Sequence, residues 1–247
     1  MTSAVQRYGL VGALNQSWLK LPTCAMRDVG PASQTLGGII SITSKETFAS
    51  AQVIADAARV PAKTCRKHLD TLHDRGWIQN EGRQATRRGI PRRTCTIKLT
   101  KQTKDLMTDY AILPWFATCY LARAGKLPWS TRAVLGVIMA RLCSLKAAAE
   151  RESGPLAEDE VFGAIENMGS NERFRFSLSD LVKQTGLSRE SVCIGKLQLS
   201  TLRLIDIVIP DDRQEAELLV PCWDRQLVIT PSKPGFVTVS LGWSESG

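Results

Sequence analysis

One segment constrains this chain more than any other: Pro61-Ala-Lys-Thr-Cys-Arg-Lys-His-Leu-Asp-Thr-Leu-His-Asp-Arg75, closed by Gly76. Cys65, Leu69 and Leu72 recur at i, i+4 and i+7, which puts one apolar stripe on a helix and demands a partner surface to bury it. Pro61 suits a first helical turn, because the N–H it lacks has no partner there. Gly76 suits the stop, since glycine adopts left-handed backbone without a Cβ penalty. Outside the stripe lie Ala62, Lys63, Arg66, Lys67 and Asp70. The predicted helix is amphipathic, with a largely basic exposed face.

The flanks say what buries the stripe. Upstream, Leu36, Ile39, Ile40 and, less cleanly, Ile42 mark a first helix that Gly37 and Gly38 weaken. Glu46 to Phe48 reads as a link. Ala49 to Val60 reads as a second helix, with Ser50 as its cap and Ile54 and Ala58 on one face. Downstream, Trp77-Ile78-Gln79 reads as a strand and Thr94 to Thr100 as its alternating partner. The stretch between them, Asn80 to Arg93, reads as a loop that carries Arg83, Arg87, Arg88, Arg92 and Arg93, with Gly82 and Gly89 free to turn.

Charge follows the same division. Residues 1–104 hold 17 Lys/Arg against 6 Asp/Glu, a balance of +11, and residues 105–247 hold 15 against 18, a balance of −3. The net +8 is therefore confined to one half, and it implies a polyanionic partner for that half. A short or basic side chain near the start of a helix can read base edges, and Lys63, Arg66, Lys67, Ala62 and Asp70 hold such positions. An arginine-rich tip can follow phosphates or enter a narrow minor groove. The plain alternatives are a solvated charged face and a solvated loop.

The second half repeats the order of elements. Trp129 to Lys146 predicts a helix with Val134, Leu135, Ile138, Leu142 and Leu145 on one side and Ser130 or Thr131 as its cap. Residues 147–172 are polar and acidic, and read as an insertion. Phe174-Arg-Phe176 reads as a short strand and Ser177 to Gly186 as a helix. Ser188 caps the next helix, with Val192, Leu199 and Leu202 inward. Leu204 to Ile209 and Leu218 to Val220 then form a hairpin. The expected organisation is an N-terminal arm (1–32), a first domain (33–103), a connector (104–128) with a strand over Tyr110 to Trp115, a second domain (129–230) and a tail (231–247) with a late strand at Phe236 to Leu241. The fold class is mainly α with small β-hairpins, α+β.

Thr64-Cys65-Arg66-Lys67-His68-Leu69, then Leu72 and Gly76-Trp77-Ile78, give residues 36–100 a resemblance to bacterial winged helix-turn-helix domains. Residues 129–222 resemble a second such domain. Two in tandem, in a chain of this length, resemble plasmid and phage replication initiators. The resemblance implies sequence-specific binding of double-stranded DNA, in replication initiation or transcription regulation, with Lys63, Arg66 and Lys67 at bases and the five loop arginines at phosphates. In the second half, Arg189 and Lys196 could make a further DNA contact. Asp206, Asp211, Asp212, Glu215 and Glu217 in its hairpin would instead repel phosphate, which favours pairing of protomers or binding of a host replication or transcription protein. A rival reading makes both domains protein-binding modules of an assembly adaptor.

Other chemistry finds no support. Seven cysteines are scattered without a CxxC pair, as expected of reduced core thiols in a cytoplasmic protein. Only His68 and His73 could join a zinc site, and the spacing does not favour one. No metal or cofactor is expected, and no GxxxxGK[ST], GxSxG or HExxH occurs, so the chain reads as non-enzymatic. Glu158-Asp159-Glu160 reads as a solvated loop. No signal peptide and no membrane span are expected.

Overall fold

The stripe predicted around Leu69 is buried against two preceding helices and a small sheet. The computed structural model describes residues 6–8, 17–43, 46–87, 90–101, 103, 109–122, 125–156, 160, 177–202, 204–208, 217–219, 225–233 and 236–243. In chain order the elements are β1 (Gln6–Tyr8), β2 (Trp18–Pro22), α1 (Thr23–Val29), α2 (Ala32–Ile42), β3 (Glu46–Ala49), α3 (Ala51–Ala58), α4 (Ala62–Asp74), β4 (Ile78–Arg87), β5 (Ile90–Leu99) and β6 (Tyr110–Pro114). A π-helical segment (Phe116–Leu121) precedes α5 (Trp129–Ser153), α6 (Leu178–Thr185), α7 (Arg189–Thr201), β7 (Asp206–Val208), β8 (Glu217–Leu219), β9 (Arg225–Lys233) and β10 (Phe236–Trp243). Among the described residues the chain is α+β, with seven α-helices and sheets of two or three strands. It divides into one unit of Leu19–Ile112 and a second made of Met1–Trp18 and Leu113–Gly247.

In the Leu19–Ile112 unit, Leu36 and Ile39 of α2, Ile54 and Ala55 of α3, and Cys65, Leu69 and Leu72 of α4 form one core with Trp77, Ile78, Ile97 and Leu99 of the strands. Burying each large aliphatic side chain contributes about 1.5–3 kcal/mol. Gly37 and Gly38 do not break α2; they admit its neighbours. A Cβ on Gly38 would lie 2.5 Å from both Cα and Cβ of Ala58, and one on Gly37 would lie 2.5 Å from the Lys20 carbonyl oxygen. The buried Gln34 amide donates to the Ala58 carbonyl at 2.9 Å, satisfying one of the open acceptors at the end of α3. Ser50 caps α3 as expected, accepting from the Val53 N–H.

Three expectations are corrected here. Glu46 to Ala49 is a strand rather than a link, because main-chain pairing with β5 (Glu46 opposite Lys98, Ala49 opposite Cys95) needs no side-chain signal. Asn80 to Arg93 is largely paired rather than a loop. β4 and β5 run antiparallel from Ile78 opposite Leu99 out to Arg87 opposite Ile90. The stretch 1–32, expected as an arm, contributes β2 and α1, in which Leu19, Leu21, Ala25 and Met26 are buried. β2 pairs with β6.

The sheet order β3-β5-β4 ends early on one side. β3 stops at Ala49, opposite Cys95, so the five outer β4–β5 pairs, from Arg83–Thr94 to Arg87–Ile90, have only two strands among the described residues. At about 3.4 Å per residue that extension is roughly 17 Å long.

In the second unit, α5 is buried on nearly every side from Ala133 to Met139, as a central helix with apolar residues all round should be. It runs to Ser153, past the expected end at Lys146, and Thr131 bonds Gln198 of α7 instead of capping. Gly195 of α7 packs closely on α5, where a Cβ would lie 3.2 Å from the Ser130 carbonyl oxygen. Ser177 and Ser188 cap α6 and α7. The hairpin β7–β8 forms, Asp206 opposite Leu219. The expected strand at 174–176 and the residues Glu158 and Asp159 lie outside the described residues. The expected arm and tail meet in one sheet, β1-β9-β10, with Gln6 opposite Ile229.

Candidate functional site

Helix α4 is fixed from three sides before any charge is considered. Cys65, Leu69 and Leu72 are buried on its inner stripe. The Thr35 hydroxyl lies 2.7 Å from His68 Nδ1, joining α4 to α2. At the C-terminal end, Gly76 takes φ +73°, and the Trp77 N–H bonds the Leu72 carbonyl at 2.9 Å. Trp77 Nε1 then donates to Asp28 Oδ2 at 2.7 Å, which ties the root of β4 to α1. The Asn80 N–H donates to His73 Nδ1 at 3.3 Å, so both histidines expected to pack or sit at a rim hold the ends of hydrogen bonds.

With that inner face locked, Lys63, Arg66, Lys67 and Asp70 are all exposed on the outer face. None of the four takes part in an ion pair among the described residues. The first turn of α4 holds no acidic residue, and its cap, Pro61, offers no side-chain acceptor. The positive end of the helix dipole therefore lies beside the unpaired Lys63 in the first turn, where a cation is disfavoured by about 0.3–1 kcal/mol, and Arg66 and Lys67 follow one turn on. Among the described residues no acidic side chain pairs with these cations, and a bound anion would offset the repulsion.

Ala62 departs from expectation: it is half-buried and packs against the core, so it belongs to the inner side of the first turn. Arg75, by contrast, is engaged with Asp28 at 3.5 Å. In the β4–β5 extension, the backbone register places Arg83, Arg92 and Arg87 at positions of one parity and Arg93 at the other, opposite Gln84. All four lie in the outer two-stranded part. Arg88 lies outside the described residues.

Arg189 and Lys196 of α7 are not equivalent. Arg189 is exposed as the first residue of the helix, whereas Lys196 is only 4% exposed and sits with Val192, Gly195 and Leu199 on the buried side. Lys196 is thereby corrected from a candidate contact to a packed residue: its position, four after Val192, puts it on the buried side of α7. The outward stripe is instead Glu190, Ile194, Leu197 and Thr201, with Ile194 45% and Leu197 60% exposed. A sequence reading that treated every basic residue as exposed missed these two apolar positions, although their spacing from Glu190 was there to be read.

Cys24, Cys65, Cys143 and Cys193 are in no disulfide, and burial pushes the Cys24 thiol above its usual pKa, which disfavours the reactive thiolate. Among the described residues no three His, Cys, Asp or Glu gather as metal ligands, and no helix is long and apolar enough to cross a membrane. No protein-family model, curated protein or solved structure matches the chain.

Proposed function

We propose that the Leu19–Ile112 unit is a winged helix-turn-helix domain that binds double-stranded DNA in a sequence-specific way. In this reading α3 and α4 form the helix-turn-helix, and the β4–β5 ribbon is the wing. The element order α2, β3, α3, α4, β4, β5 with sheet order β3-β5-β4 supports it. The observation that carries it is the set of unpaired cations Lys63, Arg66 and Lys67 on the outer face of a helix whose inner face is fully buried. Lys63, Arg66 and Lys67 read bases, while Arg83, Arg87, Arg88, Arg92 and Arg93 hold phosphates. The protein then acts without catalysis, in the cytoplasm, as a replication initiator of the plasmid or phage type or as a transcription regulator.

Titration of a fluorescent random duplex at several NaCl concentrations tests this. Neutralising about six phosphates gives a log–log slope of roughly −5. Absence of any salt-sensitive binding would refute the reading and favour the rival, in which both units are protein-binding modules. For the second unit alone, a protein contact is the better reading, with a second protomer or a host replication or transcription protein as partner. The support is the buried Lys196 and the apolar pair Ile194 and Leu197 on the outward side of α7.

A further inference from the structure

We infer that Asp70 adds selectivity to α4 at one base pair, by accepting a hydrogen bond from cytosine N4 in the major groove. The inference rests on the duplex reading above. Asp70 shares the outer stripe with Lys63, seven residues earlier, which places it two turns or about 10 Å further along the axis. It is exposed and has no ion pair among the described residues. Arg66 lies four residues before it, at the spacing where opposite charges meet on a helix, yet the two do not pair. The acid here follows the base, the less favourable order. The carboxylate is thus left open on the one face that the cations prepare for a polyanion.

An ionised carboxylate only accepts hydrogen bonds. Beside phosphate it repels, and beside guanine O6 and N7 or thymine O4 it meets further acceptors. The donors on the major-groove edge are cytosine N4 and adenine N6, and adenine sets its N7 acceptor next to the donor. Cytosine alone offers the amino group with no acceptor of its own beside it. Asp70 therefore weakens every register of α4 on DNA except one that places a C·G pair opposite it. The cations supply attraction and contacts to bases of their own, and Asp70 adds discrimination at one further base pair.

Selection from a randomised duplex library tests this with the wild-type chain, Asp70→Ala and Asp74→Ala. Asp74 carries the same charge on the exposed last position of α4 and serves as the control. The wild type should select a C·G pair that Asp70→Ala no longer requires, a loss of about 5- to 150-fold in discrimination at that position. Asp70→Ala should also bind random duplex several-fold more tightly, while Asp74→Ala keeps the wild-type motif. An unchanged motif in Asp70→Ala, or the same change in Asp74→Ala, overturns the role of Asp70 and leaves duplex binding standing. A wild-type chain that binds no duplex at low salt overturns the duplex reading, and this role with it.

Discussion

Replacing Gly38 by alanine should destabilise the chain, although the same change inside an ordinary helix does the reverse. Glycine in a helix interior is worse than alanine by about 1 kcal/mol, so Gly→Ala on an exposed face raises stability. At Gly38 the added methyl would lie 2.5 Å from Ala58 Cα, 2.5 Å from its Cβ and 2.6 Å from its N. Ordinary carbon contacts begin near 3.5 Å, so α2 and α3 must part by about 1 Å. The obstruction is backbone, which no rotamer change can relieve. Overpacking of this kind costs about 1–3 kcal/mol, occasionally more. Moving α3 also weakens the Gln34–Ala58 hydrogen bond, worth about 1 kcal/mol. Set against the propensity gain, the net loss is about 1–3 kcal/mol. In a thermal melt of the full chain followed by tryptophan fluorescence, the transition that reports Trp77 should fall by several degrees. An unchanged or raised midpoint would refute the close approach of the two helices.

Three further substitutions bear on the site and its support. Arg66→Ala should cost about 1–3 kcal/mol on a selected duplex and relax one position, whereas Arg92→Ala should weaken all duplexes alike and make the salt slope shallower by about 1; equal losses on selected and random DNA for Arg66→Ala would contradict its assignment to bases. Trp77→Phe keeps the buried ring but deprives Asp28 of its indole donor, and since the Asp28 side chain is 37% exposed the expected loss is about 1 kcal/mol in a urea titration, not the full value for a buried charged acceptor. Lys196→Met should leave duplex affinity within two-fold of wild type; a ten-fold loss, with the fold intact by circular dichroism, would return Lys196 to the DNA-facing set.

What could be read from residues alone was whatever local periodicity and end chemistry decide. The stripe Cys65, Leu69, Leu72, the stop at Gly76 and the caps Ser50 and Ser188 each depend on neighbours within one or two turns, and each is found in place. What escaped depends on distant partners. β3 is four residues long and exists because β5 pairs with it. Arg83 to Arg93 has no alternating apolar pattern, yet backbone N–H and C=O groups pair whatever side chains they carry. Gly37 and Gly38 read as weakening α2, because a sequence does not display the Lys20 carbonyl and the Ala58 backbone that fill the space of their missing side chains. Lys196 misled for the opposite reason: its charge argued for solvent, and its place in the helical repeat put it inside.

The division of the chain also bears on the order in which the protein matures. Leu19–Ile112 is one uninterrupted stretch, but the other unit is assembled from both sides of it, and β1 waits for β9 more than 200 residues later. On a ribosome the uninterrupted part can reach its native form while its host is still being translated, since domains generally fold as units as they emerge. Its termini already adjoin, with the Thr23 N–H bonded to the Asp109 carbonyl at 3.1 Å. Once folded it acts as a short bridge in place of a long slack loop, and so trims the chain entropy that the late β1–β9 closure must overcome.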